Sequence, residues 1–510
     1  MNLKYFYSFL FGATLVLSFS PFNFWFFLFP SLTFLFIKSY NSVSKKEAFF
    51  IGWFFGFSFF IFGFYWIFNS FIIREGIFIY IMPICLFLFS GFLASFVGLI
   101  SFLNYKFKSN NIILNIGFFS IFWTFSEILR GHIFTGFPWN LLAYTLSNYK
   151  ALIQICSVIG VYGLSFLIIY SVLSISIFVL NFRIKKNLFL LISFFLIFSS
   201  VFYYGSNRIK NSNFDIVENK VIRVVQPNIS QKDKLNLEKL EENYKAMVEL
   251  SFKNKMGALN ISENLNILWP ETALHDFNDL KTYSVFKKLN TNLKDEEYVI
   301  TGTFRNKKNN FYNSVGVINK NLSTSFLYDK VHLVPFGEYV PFSNFFNSLG
   351  FNFFSLKSGS FDQNIIKYKD LPSFKALICY EVIFPGKFVK KDKPMLIINF
   401  TNDAWFGNTI GPHQHFDSSI FRAIEEGRHL IRVANTGISA SIDPFGKILN
   451  KIPLNTSGYF DTKIFLFKKD NKIMNTFFSE YKNNLIFLVL IILFFVLCIL
   501  KYLIRYRNIN

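Results

Sequence analysis

An α-helical membrane bundle of about eight spans, interrupted before its last helix by a layered α/β domain, is the architecture this 510-residue sequence predicts. Three observations lead there. Hydrophobic residues make up 52% of the chain, with 74 phenylalanines among them, a share above the norm for soluble domains. The apolar residues crowd positions 1–205 and 485–504, while charge collects between them. Within that central stretch, short β-branched runs alternate with amphipathic helical patterns, as stacked layers of sheet and helix require.

A bilayer core about 30 Å thick takes about 20 apolar residues of helix to cross. Spans are expected at Tyr5–Ser20, Phe22–Phe36, Phe49–Ile73, Ile77–Leu103, Ile112–Leu129, Ser157–Phe182, Leu188–Tyr204 and Leu485–Ile504. Pro21 divides the first two, and no small-residue cleavage site follows them, so both are read as spans rather than a signal segment. Three parts result: a membrane domain at 1–205, a catalytic domain at 206–482, and a last span with a short basic tail at 483–510.

Eight spans put both termini on one side. With the N-terminus inside, the cytoplasmic segments hold Lys4, Lys38, Lys45, Lys46, Lys106, Lys108, Arg183, Lys185, Lys186, Lys501, Arg505 and Arg507, against only Arg74, Arg130 and Lys150 in the short outer loops. That asymmetry follows the positive-inside rule and predicts that 206–482 lies outside the cytoplasm. Glu127 and Arg130, at i and i+3, are expected to pair at the outer interface, because a charge at mid-bilayer costs about 3 kcal/mol. The net charge of +21 is read as topology plus a lysine-rich surface suited to anionic headgroups. No nucleic-acid motif accompanies it, so no nucleic-acid partner is expected.

In the central domain, strands are expected at Val221–Ile229, Asn266–Trp269, Tyr298–Phe304, Asn313–Asn319, Phe374–Cys379, Met395–Phe400 and Gly437–Ile442. Leu237, Leu240, Tyr244, Met247, Val248 and Phe252 recur at helical spacing, and a second helix is expected from His413 to Val433.

Of the cysteines Cys85, Cys156, Cys379 and Cys498, only Cys379 falls in this domain, where it has no partner for a disulfide. It ends an apolar run, Phe-Lys-Ala-Leu-Ile-Cys, and a nucleophile at a strand end leaves the next main-chain N–H open to an oxyanion. A core cysteine fits the same pattern. Glu271, in Trp-Pro-Glu-Thr, follows another apolar run, with Pro270 expected to stop sheet pairing and leave the carboxylate at the sheet's lip as a general base. Lys330, in Leu-Tyr-Asp-Lys-Val-His, stands among aromatic residues and prolines with little other charge. An ammonium there lowers a nearby thiol's pKa and steadies an oxyanion.

The Glu271, Lys330, Cys379 order resembles that of the nitrilase superfamily. So do the surrounding words Trp-Pro-Glu-Thr, Lys-Val-His-Leu-Val-Pro-Phe-Gly-Glu, Cys-Tyr-Glu, Asn402-Asp-Ala-Trp-Phe-Gly and Ala434-Asn-Thr-Gly-Ile-Ser-Ala. Ser20-Pro-Phe-Asn-Phe-Trp, Glu127-Ile-Leu-Arg-Gly, Thr135-Gly-Phe-Pro-Trp and Gly160-Val-Tyr-Gly-Leu-Ser extend the likeness into the membrane part, where the chain resembles the apolipoprotein N-acyltransferases. The resemblance implies a nitrilase-like α-β-β-α sandwich in a multi-pass protein of the bacterial inner membrane, with its catalytic domain on the periplasmic side. It implies transfer of a fatty acyl chain from a phospholipid, through a Cys379 thioester, to the α-amine of a diacylglyceryl-cysteine lipoprotein. Glu338, Tyr380 and Glu381 match supporting residues of the family, and no cofactor or metal is implied. Leu235 departs from the family, which often has an aromatic residue shortly after its Gln-x-Asn segment, here Gln226-Pro-Asn228.

Three rivals use the same sequence differently. A membrane-tethered amidase would use the same three residues with water as acceptor, and a papain-like enzyme would recruit His332, His413 or His415. A transporter would need ionisable groups along its spans, and these are few. His413-Gln-His415 lacks the further ligands of a zinc site.

Overall fold

Helix dominates the first 211 residues of the computed structural model, which describes residues 2–181, 187–212, 214–255, 263–341, 348, 355–361, 363, 365–389, 393–469 and 472–507. The chain divides into two compact units. One comprises Met1–Asn211, Thr409–Asp417 and Thr476–Asn510, and the other Ser212–Asn408 and Ser418–Asn475.

The first unit is built from α1 (Leu3–Leu15), α2 (Leu28–Tyr40), α3 (Lys45–Phe64), α4 (Ile77–Lys106), α5 (Ile112–His132), α6 (Cys156–Leu180), α7 (Leu188–Lys210) and the C-terminal helix Asn483–Arg507. Helices are what apolar sequence must form in lipid, because each main-chain group then finds its partner within the segment. Six of the expected spans are helices long and apolar enough to cross a membrane. The first two are shorter, Leu3–Ser18 and Trp25–Tyr40, on either side of Pro21, which lacks the N–H that would continue a helix. Polar caps set the starts: Ser44 accepts from the Glu47 N–H at the head of α3, and Asn111 from Ile113 and Leu114 at the head of α5. The basic residues Arg183, Lys185 and Lys186 lie outside the described residues.

Glu127 and Arg130 sit on α5 as expected, but their hydrogen bonds run elsewhere. Glu127 Oε1 accepts from Trp123 Nε1 at 3.1 Å and from the Leu142 N–H at 2.9 Å. The Arg130 guanidinium donates to the carbonyls of Phe137 (2.6 Å) and Trp139 (2.7 Å). Both groups are buried, and each spends its charge on holding irregular main chain that follows α5.

The second unit is the expected α-β-β-α sandwich. A seven-stranded sheet has the order β12-β11-β1-β2-β3-β4-β5, and a five-stranded one the order β10-β9-β8-β7-β6. In chain order the strands are β1 (Phe214–Gln226), β2 (Asn264–Leu274), β3 (Tyr298–Lys307), β4 (Asn310–Asn319), β5 (Thr324–Asp329), β6 (Phe374–Ile378), β7 (Leu396–Thr401), β8 (His429–Ala434), β9 (Ser439–Ile442), β10 (Ile448–Ile452), β11 (Gly458–Lys469) and β12 (Lys472–Ile473). Strands β1 and β2 of one sheet meet β7 and β8 of the other. On the outer side of the first sheet, Tyr244, Met247 and Val248 of a helix at Leu240–Phe252 pack with Val225, Ile267 and Trp269 in a closed core. That is the apolar stripe read from the sequence except at its start, where Leu237 stands in the 3₁₀ turn Leu237–Lys239 and is 69% exposed.

Three expectations are corrected. The helix expected at His413–Val433 is the helix Gly411–Glu426 followed by β8, with Gly427 at φ +62° between them. A positive φ ends a right-handed helix at little cost only for glycine, and Leu430-Ile-Arg-Val then continues as strand. The strand expected to end at Ile229 stops at Gln226, because Pro227 has no N–H to pair and Asn228 turns at φ +58°. Pro270 does not end β2, which runs on to Leu274 after its pairing with β3 slips between Trp269 and Leu274.

Candidate active site

Cys379 follows β6 directly and opens the 3₁₀ turn Cys379–Ile383 with φ at +47°. Left-handed backbone on a residue with a Cβ costs about 1 to 2 kcal/mol, so the conformation is held by its surroundings. It breaks the strand's alternation at the sulfur. The thiol is buried and bonded to Thr401. Burial raises its pKa, the Glu271 carboxylate raises it further, and the Lys330 ammonium opposes them without prevailing. At neutral pH the sulfur keeps its proton, and chemistry requires a base.

Glu271 lies within the slipped stretch of β2, followed by Thr272 at φ +46°. Across from it stands Gly302 of β3, where a Cβ would fall 2.5 Å from the Thr272 nitrogen and 2.6 Å from the Glu271 Cα. Glycine is required there for the irregular backbone of β2 to come this close.

Lys330, immediately after β5, is 1% exposed. Its Nζ lies 2.9 Å from Glu338 Oε1 and 3.5 Å from Glu271 Oε1. Burial pulls the ammonium's pKa down, but the Glu338 and Glu271 carboxylates outweigh it and the net shift is upward; the group stays charged. Asn313 of β4 completes the cluster. Its Nδ2 donates to Glu271 Oε1 at 2.8 Å and to Glu338 Oε1 at 3.0 Å, while its carbonyl accepts the Lys330 N–H at 2.8 Å. Glu338 Oε2 accepts from the Val334 N–H at 2.8 Å. One lysine and one amide thus hold two carboxylates in fixed directions.

Glu381 occupies a second cluster. Its carboxylate accepts from Tyr328 Oη at 2.9 and 3.0 Å, and from the N–H groups of Val331 (2.9 Å), His332 (3.0 Å) and Ile378 (2.8 Å). It therefore clamps the main chain on both sides of the site, next to Lys330 and next to Cys379. Burial pushes its pKa up against these bonds. Tyr380 is buried, its ring 5.7 Å from His332 and 5.1 Å from Phe384. The His332 ring nitrogen Nδ1 lies 2.9 Å from Lys387 Nζ.

Glu381→Gln is expected to destabilise the protein by about 2 kcal/mol, because one amide N–H₂ must then face main-chain or phenol donors in a buried space. Thermal unfolding of the full chain in detergent measures this, and a melting temperature unchanged from wild type would refute it.

Glu271, Lys330 and Glu338 thus share one hydrogen-bonded cluster, and Cys379 feels the charge of the first two. Tyr380 and Glu381 follow Cys379 directly in sequence. Sequence reasoning did not single out Asn313, Tyr328 or Lys234; the Lys234 Nζ donates to the Glu271 carbonyl at 2.8 Å. Leu235, beside it, is 59% exposed, so the side chain at that position projects to the surface rather than into the packed core.

Known proteins share this organisation. Residues 11–174 match the apolipoprotein N-acyltransferase N-terminal domain, and residues 221–466 match the carbon-nitrogen hydrolase domain. Apolipoprotein N-acyltransferase of Rickettsia prowazekii is 36% identical over 444 residues, covering 82% of this chain and 85% of the relative. That of Rickettsia typhi is also 36% identical, with 84% and 85% covered. The Rhodopseudomonas palustris protein of the same name is 31% identical over 475 residues, with 88% and 87% covered.

Proposed function

Because the chain belongs to the apolipoprotein N-acyltransferase family, we propose that Cys379 carries a fatty acyl chain from a phospholipid to the α-amine of a diacylglyceryl-cysteine lipoprotein. The protein is a membrane acyltransferase of lipoprotein maturation. The observation that carries the residue assignment is the buried Lys330 ammonium shared by Glu271 and Glu338, in electrostatic contact with a thiol that stays protonated at rest.

In the first half-reaction Glu271 takes the thiol proton as sulfur attacks the ester carbonyl of the donor. Lys330 and the main-chain N–H of Tyr380 steady the oxyanion. The carbon–oxygen bond breaks, Glu271 returns the proton to the departing lysophospholipid oxygen, and a thioester remains. In the second, the amine nitrogen attacks the thioester, its proton passes to Glu271, and the carbon–sulfur bond breaks. The amide leaves and the thiol is restored. Glu338 keeps Lys330 oriented, since a lysine shared between two carboxylates cannot swing away from either without leaving one unpaired.

Both substrates are lipids, so delivery along the bilayer suits a catalytic unit carried by membrane-spanning helices. The lysine and arginine asymmetry of the loops supports an inner-membrane protein with that unit on the periplasmic side.

Intact-mass analysis of the full chain in phospholipid nanodiscs tests the reading. A mass gain of one fatty acyl group on Cys379 is expected, absent in Cys379→Ala and discharged by a diacylglyceryl lipopeptide with formation of its N-acyl product. Absence of the adduct, or hydrolysis of small amides with the lipopeptide untouched, would overturn it.

A further inference from the structure

The stretch between β1 and the helix Leu240–Phe252 holds an extended loop, one short helix, Gln231–Leu235, and a 3₁₀ turn, Leu237–Lys239, and it is tied down by a network of hydrogen bonds. Gln226, at the end of β1, donates to the carbonyls of Pro453 and Thr456 and accepts from Ser439. The Asn228 N–H donates to the Asn435 carbonyl, and the side chain of Asn435 pairs with both main-chain groups of Ile229. Asn435 Nδ2 also reaches Asn402 Oδ1, and Asn402 Nδ2 donates to Gln231 Oε1 at 2.8 Å. Ser230 caps the short helix through the Asp233 N–H, and Asn243 donates to the Asp233 carbonyl. Asn402 and Asn435 belong to the Asn402-Asp-Ala-Trp-Phe-Gly and Ala434-Asn-Thr-Gly words, to which the acyl-transfer chemistry gave no task. Their side chains fix this loop and the helix on it.

That helix points one lysine inward. Part of the Lys234 stem remains at the surface, but its ammonium is desolvated. Nζ donates to the main-chain oxygen of Glu271 at 2.8 Å, and its charge acts on the Glu271 carboxylate. The Lys234 carbonyl in turn lies 3.2 Å from His275 Nε2, beyond the end of β2. Glu271 needs such a restraint. Its stretch of β2 has lost regular pairing with β3, and the next residue stands at positive φ. A base whose main chain is free to relax loses alignment with its proton, and misplacement by about 1 Å costs a catalyst about a hundredfold.

We propose that Lys234 is a positioning residue of this site: its ammonium ties down the main chain that carries the base. The proposal rests on the reading of Glu271 as base and Cys379 as nucleophile. Lys330 is committed to the Glu271 and Glu338 carboxylates, which leaves the Glu271 main chain to Lys234. The groups facing it are Glu271 of β2, the Cys379 thiol and, against its carbonyl, His275. The neighbouring Asp233 is paired with Lys239 at the surface. Desolvation lowers the ammonium's pKa to about 8, with the Glu271 carboxylate resisting, so the charge is present below pH 8 and lost above it.

The rate of Cys379 thioester formation, followed by intact mass from about pH 6 to about pH 10 in phospholipid nanodiscs, isolates the first half-reaction from titration of the acceptor amine. Lys234→Met is expected to acylate about 30-fold more slowly at neutral pH, as loss of a charged hydrogen bond implies. Lys234→Arg is expected to recover most of that rate. Because a guanidinium does not titrate in this range, the arginine variant should also keep its rate above pH 8, where the wild type falls. A Lys234→Met protein with wild-type rate and pH profile would overturn the proposal. Should Lys234→Met fail to fold, the arginine variant decides: the same alkaline fall as wild type would overturn it. Wild-type protein that forms no thioester would instead sink the acyl-enzyme reading, and this proposal with it.

Discussion

Glu271→Gln is expected to slow formation of the Cys379 thioester about 10⁴-fold at neutral pH, the upper end of what general-base catalysis contributes. The thiol's raised pKa is the reason the loss is large. Burial, the largest cause of that shift, still keeps the proton on sulfur when the Glu271 charge is removed, so without a base only a trace of thiolate is available to attack. The pH profile carries the sign. In the variant the remaining rate should climb about tenfold per pH unit through neutral and mildly alkaline pH, because hydroxide must supply the missing base while the thiol stays below its pKa. The wild type should show no such climb. Glutamine preserves the shape and the Asn313 neighbourhood, so folding should survive. Rapid-quench mass analysis of the acyl-enzyme measures both effects, and a variant within tenfold of wild type would remove Glu271 from the role of base.

Lys330→Met is expected to cost both stability and rate. The lysine is 1% exposed and neutralises two carboxylates that share one asparagine amide. Removing one partner of a buried ion cluster destabilises by about 3 to 5 kcal/mol, because the other charges stay behind unpaired. Loss of the oxyanion donor adds about 10³-fold in rate. In wild type the folded pKa of Lys330 is raised, so its contribution is complete throughout the neutral range and would disappear only in strong alkali. In the variant the stranded carboxylates favour protonation in the folded state, so acidification should narrow the gap. Thermal unfolding at neutral and mildly acid pH reads this directly. A gap that widens in acid would mean that the carboxylates do not depend on Lys330.

Glu271, Lys330 and Cys379 were legible in the sequence on two grounds: each follows a run apolar enough to be strand, and their order and surrounding words resemble those of the nitrilase superfamily. The structure places two of them directly after β5 and β6, and Glu271 inside β2 where its pairing fails. Asn313 carried a fainter signal. It is a polar residue inside the strand-like run Asn313–Asn319, and an inward amide in a sandwich must find buried partners. Lys234 carried none. Lys232 and Lys234 look alike in Gln231-Lys-Asp-Lys-Leu, and only the turn after Gln226 decides which one faces the base. The helix expected through Val433 shows the opposite failure, where a good apolar period ran past Gly427 into a strand. Tyr328 carried no signal either; its hydroxyl matters because Glu381 arrives from a segment 53 residues later.

That last contact joins distant parts of one unit. Tyr328 lies on β5 at the edge of the seven-stranded sheet, Val331 and His332 on the segment just after it, and Ile378 on β6 at the edge of the five-stranded one, yet all four donate to a single carboxylate. Neither half of the sandwich can therefore assemble a competent centre alone. On the proposed reading, a chain whose two sheets have not met holds Cys379 apart from Glu271 and Lys330, and no thioester forms until they do.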